Sequence, residues 1–248
     1  MDLAARKPPL RTLAVVLGVA FAVIVPAWQA ATDFGLSPAQ FSRAGDRTLR
    51  VAGYAFSIWS VIYLGLIAFA VHQLRSRETP VLRAVAWPAA AAAAGCGAWI
   101  LASALDLRWV TVAVITASAA VMIWGLLRVD SWRQRLPVRV LTLWPLSLLA
   151  GWLTVASAVN VLTVLTAEGA IPPGAALAWA VGGVLAVAAI AVAVLSRAPA
   201  ALYGVAAAWG LAGVFVAERE PNPVLAYAAL AAALLVFGYG LWRARRAP

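Results

Sequence analysis

The sequence predicts an all-α, polytopic membrane protein, a transmembrane helical bundle of about eight spans. Three observations lead there. Of its 248 residues, 65% are hydrophobic and only 11% are charged. Several apolar runs approach or exceed the roughly 20 residues that an α-helix needs to cross a bilayer. Those runs are continuously apolar, without the alternation of a barrel strand, and only helices or closed barrels satisfy the backbone in lipid. No polar stretch is long enough for a soluble domain, which excludes soluble catalytic modules, zinc domains and nucleotide-binding folds.

The runs place spans at about 12–31, 51–74, 84–105, 109–127, 141–166, 175–195, 200–217 and 224–242. The seventh is the weakest, being short and ending in "AERE". Charge supports the set. Of the 19 Lys and Arg, the two tails and the even-numbered loops hold fourteen: Arg6, Lys7, Arg11, Arg75, Arg77, Arg83, Arg128, Arg133, Arg135, Arg139, Arg197, Arg243, Arg245 and Arg246. Arg43, Arg47, Arg50, Arg108 and Arg219 fall on the other side. The positive-inside rule then puts both termini in the cytoplasm, with the protein integral to the cytoplasmic (inner) membrane. Orientation also accounts for the net charge of +10, so no nucleic-acid partner is expected. The first span has a basic lead and ends near "AWQAA", as a signal sequence would, but its apolar run is longer than a usual signal core; it is read as a retained helix.

The single cysteine, Cys96, lies within a span, so no intramolecular disulfide and no cysteine-based metal site is expected. His72 is the only histidine and reads as a polar residue near a helix end. No metal and no cofactor is expected.

The candidate functional residues are aromatic and amide side chains inside the spans. In "YAFSIWSVIY" (54–63), Phe56, Trp59 and Tyr63 fall within an arc of about 60° on a helix, while Tyr54 points to the other face. Trp59 lies roughly 12 Å inside its span, deeper than a headgroup anchor needs. In "GWLTVASAVN", Trp152, Ala156 and Asn160 share an arc of about 80°. An asparagine in lipid is costly unless its amide is partnered, so Asn160 should face the interior. In "CGAWI", Trp99 follows two small residues that permit close packing. Each of these admits two readings, helix–helix packing or the wall of a ligand pocket.

These segments resemble the tryptophan-rich sensory protein, or translocator protein (TspO/MBR), family. That family carries Trp-x3-Tyr in its second helix, here Trp59 and Tyr63, and Trp-x3-Ala-x3-Asn in its fifth, here Trp152, Ala156 and Asn160. Its third-helix Asn-x2-Trp-x3-Phe keeps Trp99, with Cys96 in place of the Asn and Ser103 in place of the Phe. Pro145 lies seven residues before Trp152 rather than four, as in a longer branch of the family, and the Trp-x-Pro-Pro before the second helix is absent. With it goes the sequence basis for the pocket lid of the five-helix members. The resemblance implies a TspO-like five-helix core over residues 10–166 that binds flat hydrophobic ligands: tetrapyrroles such as porphyrins, sterols or isoprenoids. It implies ligand-binding roles for Phe56, Trp59, Tyr63, Trp99, Trp152 and Asn160, in a sensor, carrier or scavenger.

Residues 167–248 form three additional transmembrane helices of unassigned role. Small-residue spacings, Gly182/Ala186 and Ala206/Gly210, suit them to complete the bundle or to make a homodimer face. Helix direction puts Trp59, Trp99 and Asn160 at one depth, about 9–12 Å from the outer ends of their helices.

A membrane-embedded enzyme is the alternative, such as an isoprenoid or terpene cyclase or isomerase that uses rim carboxylates as acid and base. Asp106, Glu218 and Glu220 are its candidate catalytic residues, with Glu168 on the same side. Arg108 two residues after Asp106, and Arg219 between the two glutamates, favour solvated helix-end charges instead.

Overall fold

A computed structural model describes residues 9–76, 79–129, 134–198 and 200–246. Arg6, Lys7, Arg77 and Arg133, which enter the charge count, lie outside the described residues. Eight helical stretches are long and apolar enough to cross a membrane: Leu10–Thr32, Gly53–Arg75, Pro80–Ala104, Arg108–Leu127, Leu136–Ala167, Pro173–Arg197, Ala201–Glu218 and Pro223–Arg246. They are called the first to eighth spans below. The protein is a multi-pass helical membrane protein, and no strand occurs among the described residues.

Three spans depart from a regular α-helix at their starts, the sixth through a 3-10 turn at Pro173–Ala175. The second opens with a 3-10 turn, Gly53–Ser57, before its α-helix Ile58–Arg75. The fifth extends further back than its apolar run, to Leu136, through a π-helical turn at Arg139–Leu143 that precedes the α-helix Trp144–Ala167. Pro145 has no N–H to donate, and its ring crowds the carbonyl four residues back. The wider π turn lets the helix pass this point without stopping. Gly65 of the second span sits directly on Pro145, where an added Cβ would come within 2.9 Å of the Pro145 Cβ.

Packing follows from small residues. The first span lies along the third, with Gly18 against the Ala90 carbonyl and Gly97 against Phe21. The third packs on the fourth, the fourth on the fifth, and the fifth on the second, which returns to the first. These five form a closed ring. The fifth span also serves the remaining three, since its opposite face packs on the seventh and sixth, and the eighth joins those two. It is the most deeply buried of the eight. Gly151 meets the backbone carbonyl of Tyr203, and Gly210 meets Val155, whose Cγ1 would lie 2.8 Å from an added Cβ. Ala206 is fully buried in the same seam, as its spacing with Gly210 suggested, whereas Gly182 and Ala186 lie on an exposed face.

The connection between the first and second spans, on the face opposite the chain ends, positions the site. Gln29 Nε2 donates to the carbonyls of Phe34 (3.3 Å) and Leu36 (2.7 Å). Ser37 then starts a short helix, Pro38–Ser42, through a capping box: Gln40 N donates to Ser37 Oγ, and Ser37 N donates to Gln40 Oε1 at 2.7 Å. Gly45 presses on Thr163, and the Thr48 and Thr166 hydroxyls meet at 2.7 Å.

The fifth–seventh seam yields a direct expectation. Gly151→Leu has no room against the Tyr203 carbonyl. It should destabilise the detergent-solubilised protein by about 1–3 kcal/mol, as over-packing does. Gly182→Leu, with nothing near its Cβ, should leave the melting temperature close to wild type. Thermal unfolding of both variants checks the contrast.

Candidate functional site

A cavity of about 700 Å³ lies inside the five-helix ring on the side of the first connection. Phe56, Trp59, Tyr63, Trp99, Trp152 and Asn160 all line it. The second span contributes three of them. Phe56 comes from the 3-10 turn, and Trp59 and Tyr63, four residues apart on the α-helix, stack with ring centroids 5.2 Å apart. Trp152 of the fifth span stands edge-on to both Trp59 (6.2 Å) and Phe56 (5.9 Å). Such edge-to-face pairs are the arrangement that ring quadrupoles favour. Tyr54 points away, as its helical angle suggested, and meets Trp209 edge-on at 5.3 Å.

Asn160 is buried and bonds across three helices. The Trp99 Nε1–H donates to Asn160 Oδ1 at 3.0 Å, and Asn160 Nδ2 donates to Thr111 Oγ1 at 2.9 Å. The Thr111 hydroxyl donates in turn to the Arg108 carbonyl at 2.6 Å. An indole N–H can only donate, so the amide orientation is fixed by chemistry. The packing and cavity readings therefore coexist at this residue: the amide ties the third, fourth and fifth spans together while its side chain forms part of the wall. The Trp152 Nε1–H, by contrast, is buried without a partner.

The sequence did not single out the cover. Phe41, from the short helix Pro38–Ser42, is buried and meets Trp99 edge-on at 6.0 Å. A lid thus forms over the cavity without the Trp-x-Pro-Pro motif. Ser37-Pro38-Ala39-Gln40 is a capping-box sequence, and it was the available signal for that helix. Arg43, Asp46 and Arg50 line the cavity at the same end, the first two of them exposed. Pro26 of the first span and Ile115 of the fourth complete the walls.

None of the three candidate catalytic carboxylates lines the cavity. Asp106 is half-exposed and pairs with Arg108 (3.1 Å), which also reaches Glu168 (3.0 Å). Glu220 is exposed, 4.0 Å from Arg219. Glu218 departs from its reading as a solvated charge: it is buried and bonds to Arg50 rather than to its neighbour Arg219. Glu218 in turn holds the Arg50 guanidinium pKa above its ordinary value, chiefly through that hydrogen bond. The described residues contain no cluster of three or more His, Cys, Asp or Glu that could hold a metal ion.

Eight spans, five of them ringing an aromatic cavity, define a polytopic helical membrane protein with an internal chamber. A family model described as TSPO-like protein matches residues 12–242, so the chain belongs to the TSPO-like protein family. That match runs through all eight spans. No match was found among curated proteins or among solved structures.

The Asn160 network supplies a test. Asn160→Leu strands the Trp99 N–H and removes the donor to Thr111. The bundle should lose about 1–2 kcal/mol, the range for interhelical hydrogen bonds in membranes. Unfolding in mixed micelles measures it, and the Trp99→Phe, Asn160→Leu double variant should lose less than the sum of the two single losses.

Proposed function

We propose that this protein binds a flat hydrophobic ligand, a tetrapyrrole, sterol or isoprenoid, in the aromatic cavity, and acts as a sensor, carrier or scavenger of it. One observation carries the reading: a cavity of about 700 Å³, within the size range of small-molecule sites, has indole and phenyl rings on several walls. Planar ligands gain from stacking and edge contacts with such rings. The inward amide already bonds Trp99 and Thr111, and the Trp152 N–H remains as a donor in the aromatic wall. Within this proposal residues 10–166 are the binding bundle and 167–248 a supporting set of three helices. The basic tails and even-numbered loops favour cytoplasmic termini in an inner membrane. The exposed Gly182/Ala186 pair is the surface on which a homodimer would form.

The enzyme reading has less behind it. An acid–base cyclase needs a carboxyl facing its substrate, and Asp106, Glu218 and Glu220 stand outside the lining. Two of them are committed to arginines.

The absorbance spectrum and the extracted-lipid mass spectrum of the detergent-purified protein test the proposal. A bound pigment or sterol favours binding; an isoprenoid together with its cyclised product favours the enzyme. In a titration with protoporphyrin, quenching of tryptophan fluorescence should saturate. Trp59→Leu should weaken the affinity roughly 5- to 150-fold, equivalent to about 1–3 kcal/mol of lost aromatic contact. Equal affinities for the two proteins would make the aromatic stripe structural. For orientation, a reporter fused after residue 246 should report a cytoplasmic location, and a periplasmic signal would reverse the assignment.

A further inference from the structure

The cavity opens beside the exposed lining residues Arg43 and Asp46, and the seventh span grips the lining segment next to this entrance through contacts between residues 50–55 and 209–218. The Arg50 backbone N–H and its Nε both donate to Glu218 Oε1 at 3.1 Å, and Nη2 donates to Oε2 at 3.4 Å. Two residues on, Ala52 N donates to the Gly213 carbonyl at 3.0 Å. Trp209 Nε1 donates to the Ala55 carbonyl at 2.9 Å. Backbones approach so closely here that a Cβ on Gly213 would come within 2.8 Å of the Ala55 Cβ and 2.9 Å of Val51 Cγ1. Arg50, Val51, Gly53 and Phe56 line the cavity, and so does Ala217 from the seventh span itself.

Glu218 is placed where a carboxylate is otherwise disfavoured. It is the last residue of the helix Ala201–Glu218, at the negative end of the helix dipole, and its side chain is only 6% exposed. Burial of that charge is tolerable only because three donors of Arg50 converge on it. The carboxylate does not touch the cavity, so it acts on the site only through the 50–56 segment.

We infer that Glu218 is a positioning residue for the cavity entrance: with Gly213 it clamps residues 50–56 against the seventh span, sets how far the entrance stands open, and so makes the C-terminal spans part of the site. The significance for ligand binding rests on the cavity being the ligand site, as proposed above; the clamp itself can be tested without a ligand.

Cys96 provides the probe. It is the single cysteine of the chain, is buried, and lines the cavity. Its exchange with 4,4′-dithiodipyridine forms a mixed disulfide on Cys96 and releases one thiopyridone, whose absorbance gives the rate on the full-length, detergent-purified protein. Glu218→Ala should react about tenfold faster than wild type, as expected when hydrogen bonds to a buried charge are lost from the closed state. Glu218→Gln keeps an amide oxygen that can accept from Arg50, so it should fall between the two. Gly213→Ala wedges the same contact from the other side and should also accelerate the reaction; should Glu218→Ala fail to fold, these two variants carry the test. Arg243→Gln removes bonds from Nε to the Leu195 carbonyl (3.1 Å) and from Nη2 to the Ser196 carbonyl (2.9 Å), on the opposite face of the bundle. It should react at the wild-type rate. Equal rates in wild type, Glu218→Gln and Gly213→Ala would overturn the inference, and so would an equal acceleration in Arg243→Gln, which would mean general loosening. Protoporphyrin added to the same preparations separates the two proposals. If it fails to slow the Cys96 reaction in wild type while the variants still differ, the ligand reading falls and the clamp stands. If it slows the reaction and the variants do not differ, the clamp alone falls.

Discussion

A polar group carried into the bilayer is costly unless it finds a partner inside the protein, and the fifth span shows how that demand is met, with the Trp152 N–H as its exception. Thr154 and Ser157 turn their hydroxyls back onto carbonyls four residues earlier, at 2.9 and 2.7 Å. Thr154 also meets the Tyr203 hydroxyl of the seventh span at 2.7 Å, while Asn160 serves the third and fourth. One helix thus fixes both sets of neighbours. Apolar packing alone would not do this, because lipid tails are as apolar as leucine and give helices little reason to choose one another.

Anchoring of this kind also accounts for a persistent cavity. Trp152 braces both Trp59 and Phe56 edge-on, and the stacked Tyr63 backs Trp59. Flat, stiff rings held at right angles cannot fold into the space between them as leucines would. On the opposite wall Trp99 is fastened by its N–H to Asn160 and covered by Phe41. The chamber is bounded by side chains that have few alternative positions.

Much of this was legible in the sequence because the membrane imposes simple rules. A helix must be long and apolar enough to cross, so all eight spans could be read from hydrophobic runs. Irregular geometry was not legible: the 3-10 entry at Gly53–Ser57 packs on the seventh span, and the π turn at Arg139–Leu143 begins outside the apolar run. The six aromatic and amide residues drew attention because such side chains are expensive or unnecessary in a lipid-facing helix, and the structure brings them to one cavity. Phe41 did not, since its position depends on Gly45 and Thr48 meeting residues more than a hundred positions away on the fifth span. Glu218 was misread for a related reason. Its sequence neighbour Arg219 suggested a solvated pair, whereas the spatial neighbour is Arg50, 168 residues earlier in the chain.

That separation gives the chain a timetable. A polypeptide emerges from the ribosome N-terminus first. Residues 50–56 therefore enter the membrane with the second span long before the seventh exists, and for that interval Arg50 lacks its carboxylate and the Ala55 carbonyl lacks its indole. The first five spans can close their ring around Asn160 in the meantime. Synthesis interrupted before residue 209 would leave a chamber with finished walls and an unfinished doorway, so biogenesis of this protein ends, rather than begins, at its entrance.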